Sequence, residues 1–325
     1  MLALRYDTFG PPGVLRVADV AEPVPAAGQL KIRVAAASLN PLDWKIRAGH
    51  LRLVPMLDRP PRGTGCDFAG EVVGVGGGTM GFYPGQRVFG SLPPMKRQGA
   101  VAAFVCADAT AVAPIPEGIG FAAAAALPIA AGTAVQALVD HAQLGMGQQI
   151  LITAAAGGVG HFAVQLAKFL GARVTAVCGT ANVEFARSLG ADDVIDYSHA
   201  DFTRAGGRFD VIFDIAGAAG YFASRAVLAP QGLYIDTAAS AGAMVRTAVA
   251  GAILRLGSGQ RAIALVLRAN GALWQRLARY AADGVLTPAI EHRIAPDQVV
   301  AAQAAMETSH GRGKWVVDMS LGTAG

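Results

Sequence analysis

Residues 150–160 read Ile150-Leu151-Ile152-Thr153-Ala154-Ala155-Ala156-Gly157-Gly158-Val159-Gly160, an apolar run that breaks into a glycine turn and leads into an amphipathic segment, 161–171. The pattern predicts strand, turn and helix. In such a unit Gly157 lets the backbone approach a pyrophosphate and Gly160 lets the helix pack close to the strand. Ala156, Gly158 and Val159 complete the backbone lining, and the N–H groups at the helix start attract the anion. A dinucleotide is the expected ligand. Taken alone the motif reads equally as an ordinary tight turn, because Ala155 stands where the common fingerprint has its first glycine and the chain holds 41 glycines. The context decides. The next strand, 172–178, follows at βαβ spacing, and further apolar runs at 193–195, 209–215 and 232–236 alternate with helix-like stretches. Repetition of this kind implies an α/β, doubly wound parallel sheet.

The tip of the second strand bears on which dinucleotide binds. An acid there would hold the adenosine ribose hydroxyls of NAD, yet the chain reads Cys178-Gly179-Thr180-Ala181-Asn182, with no carboxylate before Glu184. NADP(H) is therefore favoured, with Gly179, Thr180, Asn182 and Tyr197 as residues for the 2′-phosphate end. Arg187 fits that end or a solvated helix face equally well.

At 325 residues the chain exceeds the usual single core, so two domains are expected. Hydrophobic residues make up 53% and charged ones 15%, a composition suited to extensive buried sheet and unlike that of disordered chains. The net charge of +4 comes with no basic cluster, so nucleic-acid binding is not expected. The N-terminal residues lack the order of a signal peptide and read as a first strand. The apolar stretch 121–139 is alanine-rich and contains Pro128, Gly132 and Thr133, which reads as buried helix and turn with no role in a membrane. Cys66, Cys106 and Cys178 are odd in number and widely spaced, giving no disulfide framework; a reducing, cytoplasmic setting is expected.

Residues 1–115 carry short alternating strands punctuated by Pro11-Pro12, Pro60-Pro61, Pro84-Gly85 and Pro93-Pro94, the mark of a β-rich, loop-heavy domain. The expected division is 1–120 with 268–325 as a discontinuous first domain and 121–267 as the nucleotide domain. The tail ends in a strand-like run, 314–319, that returns to the first domain's sheet.

Together these residues resemble the medium-chain dehydrogenase/reductase superfamily, in particular its zinc-independent quinone oxidoreductase, or enone reductase, branch. The likeness runs over nearly the whole chain. It rests on 38–49 with Asn40-Pro41-Leu42-Asp43-Trp44-Lys45, on 65–73 with Gly65-Cys66-Asp67-Phe68, and on 84–90 and Ala125-Ala126-Leu127-Pro128. It continues through Gly157-Gly158-Val159-Gly160, 189–192, 195–197 and the closing Gly311-Arg312-Gly313-Lys314. The resemblance implies a GroES-like β-rich catalytic domain beside a Rossmann NADP(H)-binding domain. Zinc-dependent members place a cysteine near residue 40 and a histidine where this chain has Cys66-Asp67; with those ligands missing, no zinc is expected. His50, the only histidine nearby, reads as a solvent-facing loop residue.

The chemistry the resemblance implies is hydride transfer to a conjugated acceptor. Hydrogen-bond donors stabilise the developing enolate oxygen in place of a metal. Lys45 is expected to clamp the cofactor and polarise the acceptor, Asn40 to donate a hydrogen bond, and Asp43 to orient them; a surface turn with a structural ion pair is the competing reading of 43–45. Thr133 resembles the family's threonine beside the nicotinamide and reads equally as a helix-interior hydroxyl. Gly217 and Lys314 are counted with the cofactor contacts. No residue stands out as proton donor to carbon; Tyr83 is a candidate by type alone. The loops 51–62, 92–99 and 241–259 are expected to choose a hydrophobic carbonyl substrate. A homodimer through 262–267 is expected. The alternatives are an enoyl-thioester reductase of a biosynthetic pathway and a non-catalytic NADPH-binding protein.

Overall fold

A computed structural model describes residues 1–54, 56–237, 242, 247, 249–251, 259–308 and 311–321. The chain divides into two compact units, Met1–Ala130 with Ala269–Gly325, and Ala131–Arg268.

The first unit is built on antiparallel strands. β1 (Leu2–Tyr6) pairs with β2 (Arg16–Asp19) and β4 (Arg62–Gly63) in a small sheet. The larger sheet centres on β3 (Gln29–Leu39) and β5 (Asp67–Val75), followed by β6 (Arg87–Ser91), with β7 (Phe104–Asp108) on β3 and β8 (Val112–Pro114) on β6. Alternation along β3 buries Leu30, Ile32 and Val34 against Phe68, Val72 and Val88. That is the pattern of a sheet with one face in a core. Pro41 opens the helix Pro41–Arg47, where its missing N–H costs nothing, and Asn40 caps it.

The second unit holds six parallel strands: β9 (Gln149–Ile152), β10 (Arg173–Cys178), β11 (Asp193–Asp196), β12 (Phe209–Asp214), β13 (Leu228–Asp236) and β14 (Arg261–Ala264). Their order is β11-β10-β9-β12-β13-β14, so the sheet winds outward in both directions from β9 and β12, the doubly wound order that the alternating runs imply. Ile150, Leu151 and Ile152 are fully buried, as central parallel strands require. The helix Gly160–Phe169 follows the glycine turn, and β13 begins four residues earlier than the apolar run suggested.

The chain then returns to the first unit. Asn270 caps the helix Gly271–Ala282 by accepting the Leu273 N–H at 2.8 Å, and the fully buried Trp274 of that helix donates to the Ala111 carbonyl at 2.9 Å. β15 (Ile290–Ile294) and β16 (Lys314–Asp318) complete the larger sheet, β16 lying antiparallel to β3 with Trp315 opposite Leu39.

The apolar stretch 121–139 forms the helices Phe121–Ala126 and Pro128–Val135 and the first residues of a wider turn. Residues 121–130 group with the first unit, ten residues beyond the division read from the sequence. The first of these helices packs on β3 and β5, and the Ile129 N–H points at the Asp67 carboxylate, 3.3 Å from either oxygen. Among the described residues no helix is long and apolar enough to cross a membrane.

Candidate active site

In the second unit the turn after β9 is shaped by backbone bonds. Thr153 N–H donates to the Phe213 carbonyl at 3.1 Å, Ala155 N–H to that of Val177 at 3.1 Å, and Gly157 N–H to that of Ala154 at 2.9 Å. Ala154 takes a left-handed conformation, φ 48°, so the turn's sharpest bend falls on an alanine one residue before the position where the fingerprint has its first glycine. Gly160 is required by space. A Cβ there would lie 2.1 Å from the Ala154 carbonyl oxygen and 2.7 Å from Ala155 backbone. At Gly157 a Cβ would meet a single neighbour, the Ala154 carbonyl oxygen at a tight 3.3 Å, so glycine keeps the turn's backbone free for the close approach a pyrophosphate needs. The buried His161 holds the turn through its ring Nδ1, 2.9 Å from the Gly157 carbonyl, a packing contact within the turn and helix start.

At the tip of β10 the Asn182 N–H closes on the Gly179 carbonyl at 2.8 Å, and Tyr197 N–H donates to Cys178 at 3.1 Å. The Tyr197 ring, 55% exposed, covers Gly179 so closely that a Cβ there would meet its hydroxyl at 2.9 Å. Gly179, Thr180, Asn182 and Tyr197 are thus brought together. Arg187 pairs with Glu184 at 2.5 Å on an exposed helix face. A carboxylate stands here after all. Asp196 is the register partner of Cys178 on β11, and the Thr180 hydroxyl, followed by the Ser198 N–H, holds its pKa below the usual range. Only the strand register brings it to this tip.

A second feature missed in the sequence is the hub at Asp214, at the end of β12. Thr153 Oγ1 donates to its Oδ1 at 2.7 Å and the Tyr234 hydroxyl to its Oδ2 at 2.7 Å; the Ala218 N–H reaches Oδ1 at 3.0 Å, and the Ala216 N–H reaches Thr153 Oγ1 at 3.2 Å. Burial and the adjoining carboxylate push the Tyr234 phenol up, keeping it a donor. Three polar side chains on adjacent strands thereby hold the loop that carries Gly217, whose φ is +64°. Thr153 and Asp214 each follow an apolar run, the signal from which this hub is readable. Thr133 is buried on the helix Pro128–Val135.

In the first unit two of the predicted trio, Asn40 and Asp43, resolve into a buried polar cluster. Asn40 is 3% exposed; its amide donates to Asp67 Oδ2 at 2.9 Å, and its Oδ1 accepts from Lys314 Nζ at 2.6 Å. Lys314 also donates to the Leu39 carbonyl at 2.9 Å. The Asn40 N–H donates to Asp43 Oδ2 at 2.7 Å, closing the helix start, and the Cys66 thiol bonds the same carboxyl group. The Ser91 hydroxyl hydrogen-bonds Asp67. Burial, with Asp67 nearby, raises Asp43 to about 7; burial raises Asp67 to about 6, against the pull of Lys314. Burial lowers Lys314, opposed by the two aspartates, and drives the Cys66 thiol well up.

This geometry revises three expectations. Asn40 spends its polar groups on protein partners, so it serves as a positioning group. Lys314 lies inside the first unit with its ammonium on Asn40 and Leu39. Asp67, absent from the expected site, is the acceptor that anchors Asn40. Lys45 lies on the same short helix, half-buried beside the Trp44 ring at 5.7 Å, and burial lowers its pKa. The donor set does not fit a zinc ion: an amide, two carboxyl groups and a neutral thiol surround an ammonium that already supplies the positive charge. Among the described residues no group of three or more His, Cys, Asp or Glu is placed to hold a metal. Residues 51–61 (except 55) and 92–99 form loops as read, Arg62 belonging instead to β4; most of 241–259 lies outside the described residues.

Residues 26–117 match the alcohol dehydrogenase GroES-like domain and residues 189–317 a model described as zinc-binding dehydrogenase. The chain is 40% identical over 260 residues to a chloroplast envelope quinone oxidoreductase homolog of Arabidopsis thaliana, covering 77% of this chain and 78% of that protein. It is 32% identical to a chloroplastic NADPH-dependent alkenal/one oxidoreductase of the same plant, over 98% of this chain and 79% of that one. Among solved structures, the quinone oxidoreductase from Coxiella burnetii superposes with a TM-score of 0.88 at 32% identity, over 98% of this chain and 99% of that one. With a GroES-like unit, a Rossmann unit and relatives of this extent, the chain belongs to the quinone and enone reductase branch of the medium-chain dehydrogenase/reductase superfamily.

Proposed function

We propose that this protein is an NADPH-dependent reductase that delivers a hydride to a quinone or to the C=C bond of an α,β-unsaturated ketone. The observation that carries the reading is the glycine turn after β9, bare of side chains at Gly157 and Gly158 and backed by the start of a helix that the missing Cβ of Gly160 lets pack against the Ala154 and Ala155 backbone. The relatives' printed activities supply the acceptor class.

Bound NADPH supplies the hydride. The protein's part is geometry and charge. The backbone of Ala156, Gly157, Gly158, Val159 and Gly160 holds the pyrophosphate. The Asn182 amide, the Tyr197 hydroxyl and the backbone of Gly179 and Thr180 take the 2′-phosphate, while the Thr180 hydroxyl donates to Asp196. Asp214 fixes the loop of Gly217 against the turn strand. Lys45, with an ammonium made a better proton donor by burial, stabilises the negative charge that grows on the acceptor oxygen. Asn40, Asp43, Asp67 and Lys314 set the start of its helix. In this reading the reaction runs without zinc, Lys45 polarising the acceptor oxygen in its place. Thr133 stands beside the nicotinamide.

β14 is one of the two edge strands of the parallel sheet, and we assign it the dimer contact of a homodimer. Three buried, unpaired cysteine thiols suit a reducing cytoplasm.

The test is consumption of NADPH, with NADH in parallel, against naphthoquinones, enones and enoyl thioesters in the presence of a chelator. Turnover of quinones or enones with NADPH, undiminished by the chelator, is expected. Preference for thioesters would favour the biosynthetic alternative, and tight NADPH binding without turnover on any acceptor would overturn the reductase assignment.

A further inference from the structure

Arg62 is a buried cation held by backbone. Only 3% exposed, its Nη1 donates to the Asp58 carbonyl at 2.5 Å and to that of Met95 at 3.2 Å; its Nη2 donates to Pro94 at 2.8 Å and to Lys96 at 2.7 Å. Four carbonyls from two loops therefore converge on one planar fork, a geometry that lysine cannot reproduce. The loops are also stitched directly. Asp58 N–H donates to Met95 at 2.8 Å, Arg97 N–H to the Asp58 carboxylate at 3.1 Å, and Gly63 N–H to Arg97 at 2.8 Å. Gly63 and Gly99 approach so closely that a Cβ on Gly63 would lie 2.5 Å from the Gly99 nitrogen.

Both loops leave directly from the polar cluster. The first follows the helix that carries Asn40, Asp43 and Lys45, and the second begins after Ser91, the register partner of Asp67. Arg62 and Pro94 line a cavity of about 10 Å³ together with Asp43 and Cys66, so the tie is continuous with the cluster. Along the first loop Leu53 and Met56 are 88% and 76% exposed, apolar side chains that a loop anchored at Asp58 keeps at its surface.

We infer that Arg62 is a positioning residue for acceptor selection, joining loop residues 51–54 and 56–58 to 93–97 in one rigid rim whose exposed apolar side chains favour bulky hydrophobic acceptors. This rests on the proposed reductase activity. Without the fork the four carbonyls lose their common partner, the loops move independently, and the preference for bulky acceptors is lost while the nucleotide unit is untouched.

The test uses the full chain with Arg62→Met, and Arg62→Lys should the first fail to fold. Trypsin cleavage after Arg52, Lys96 and Arg97 is timed, the NADPH Kd is measured by fluorescence, and kcat/KM is compared for a naphthoquinone and for a four-carbon enone. The expected result is cleavage at least tenfold faster, NADPH affinity within twofold, and a naphthoquinone-to-enone kcat/KM ratio at least fivefold lower through KM. Faster cleavage with an unchanged ratio would overturn the role in selection, and unchanged cleavage would overturn the tie. Absence of turnover with every acceptor in the unsubstituted protein would instead overturn the reductase reading, which the cleavage measurement does not depend on.

Discussion

Lys314 and Asn40, 274 residues apart in the chain, meet at 2.6 Å between Nζ and Oδ1, with Asp67 on the far side of the same amide at 2.9 Å. One buried ammonium thereby fixes the side chain of Asn40, the N-cap residue of the helix that carries Lys45, and offsets the charge of the carboxylate beyond it.

Replacing Lys314 by Met strands the Asn40 and Leu39 oxygens and leaves Asp67 without its counter-charge. Removing one partner of a buried ionic group costs about 3 kcal/mol or more. The urea midpoint is expected to fall by that measure, and Asp67→Asn in the same chain to recover part of it. Simple additivity of the two in a double-mutant cycle would show that the ammonium and the carboxylate are not coupled.

Asp43 and Asp67 titrate at about 7 and about 6 in the folded protein, against an ordinary value of 3.8. An acid whose pKa is raised by folding binds its proton more tightly in the native state. Stability is therefore greatest below about pH 4 as far as these groups are concerned and is lost as pH rises through 6 to 7. For Asp43 the whole change is on the order of 4 kcal/mol. Unfolding free energy measured between pH 5 and pH 8 should decline, and Asp43→Asn should flatten the decline. A slope unaffected by that substitution would place the titrating group elsewhere.

The two ends of the glycine turn are expected to respond differently. Gly160→Ala drives a Cβ into the Ala154 carbonyl at 2.1 Å and should leave little folded protein. Gly157→Val, whose Cβ would meet the Ala154 carbonyl oxygen at a tight 3.3 Å, should cost some stability but still fold, and should lose NADPH binding because the side chain occupies the space of the pyrophosphate. Native NADPH affinity in Gly157→Val would contradict the placement of the phosphates.

Asp214→Ala removes the acceptor shared by Thr153, Tyr234 and the loop N–H groups. Buried donors left unsatisfied cost about 1–3 kcal/mol. NADPH affinity measured by titration should weaken about tenfold, with kcat less affected than the cofactor KM.

Lys45→Ala should lower kcat by about 10- to 100-fold, the loss of a charged donor to the growing negative charge, with an unchanged melting temperature. Steady-state kinetics at saturating NADPH measures this directly, and unaltered kcat would remove Lys45 from the reaction.

The nucleotide unit was legible because its signals are local. An apolar run, a glycine turn and an amphipathic segment lie within about twenty residues of one another, and each element is dictated by its own period and turn chemistry. The segment 161–171 became the helix Gly160–Phe169 for that reason. Even the tail strand at 314–319 was readable as apolar, matching Lys314–Asp318. What the residues 40–45 do was less legible. Their types suggest catalysis, but the partners that decide the matter, Asp67 and Lys314, come from other strands.

The amino-acid sequence by itself determined the order of strands and helices, the phosphate turn and the doubly wound unit, since backbone propensity and hydrophobic period act over a few residues. Tertiary structure alone decided that Lys314 faces Asn40, that Asp196 reaches the tip of β10, and that Arg62 gathers four carbonyls. Those outcomes depend on strand register and on the pairing of β16 with β3. The physical reason is that a buried charge takes whichever partners the packed fold brings within hydrogen-bond reach, and no local pattern records which they are.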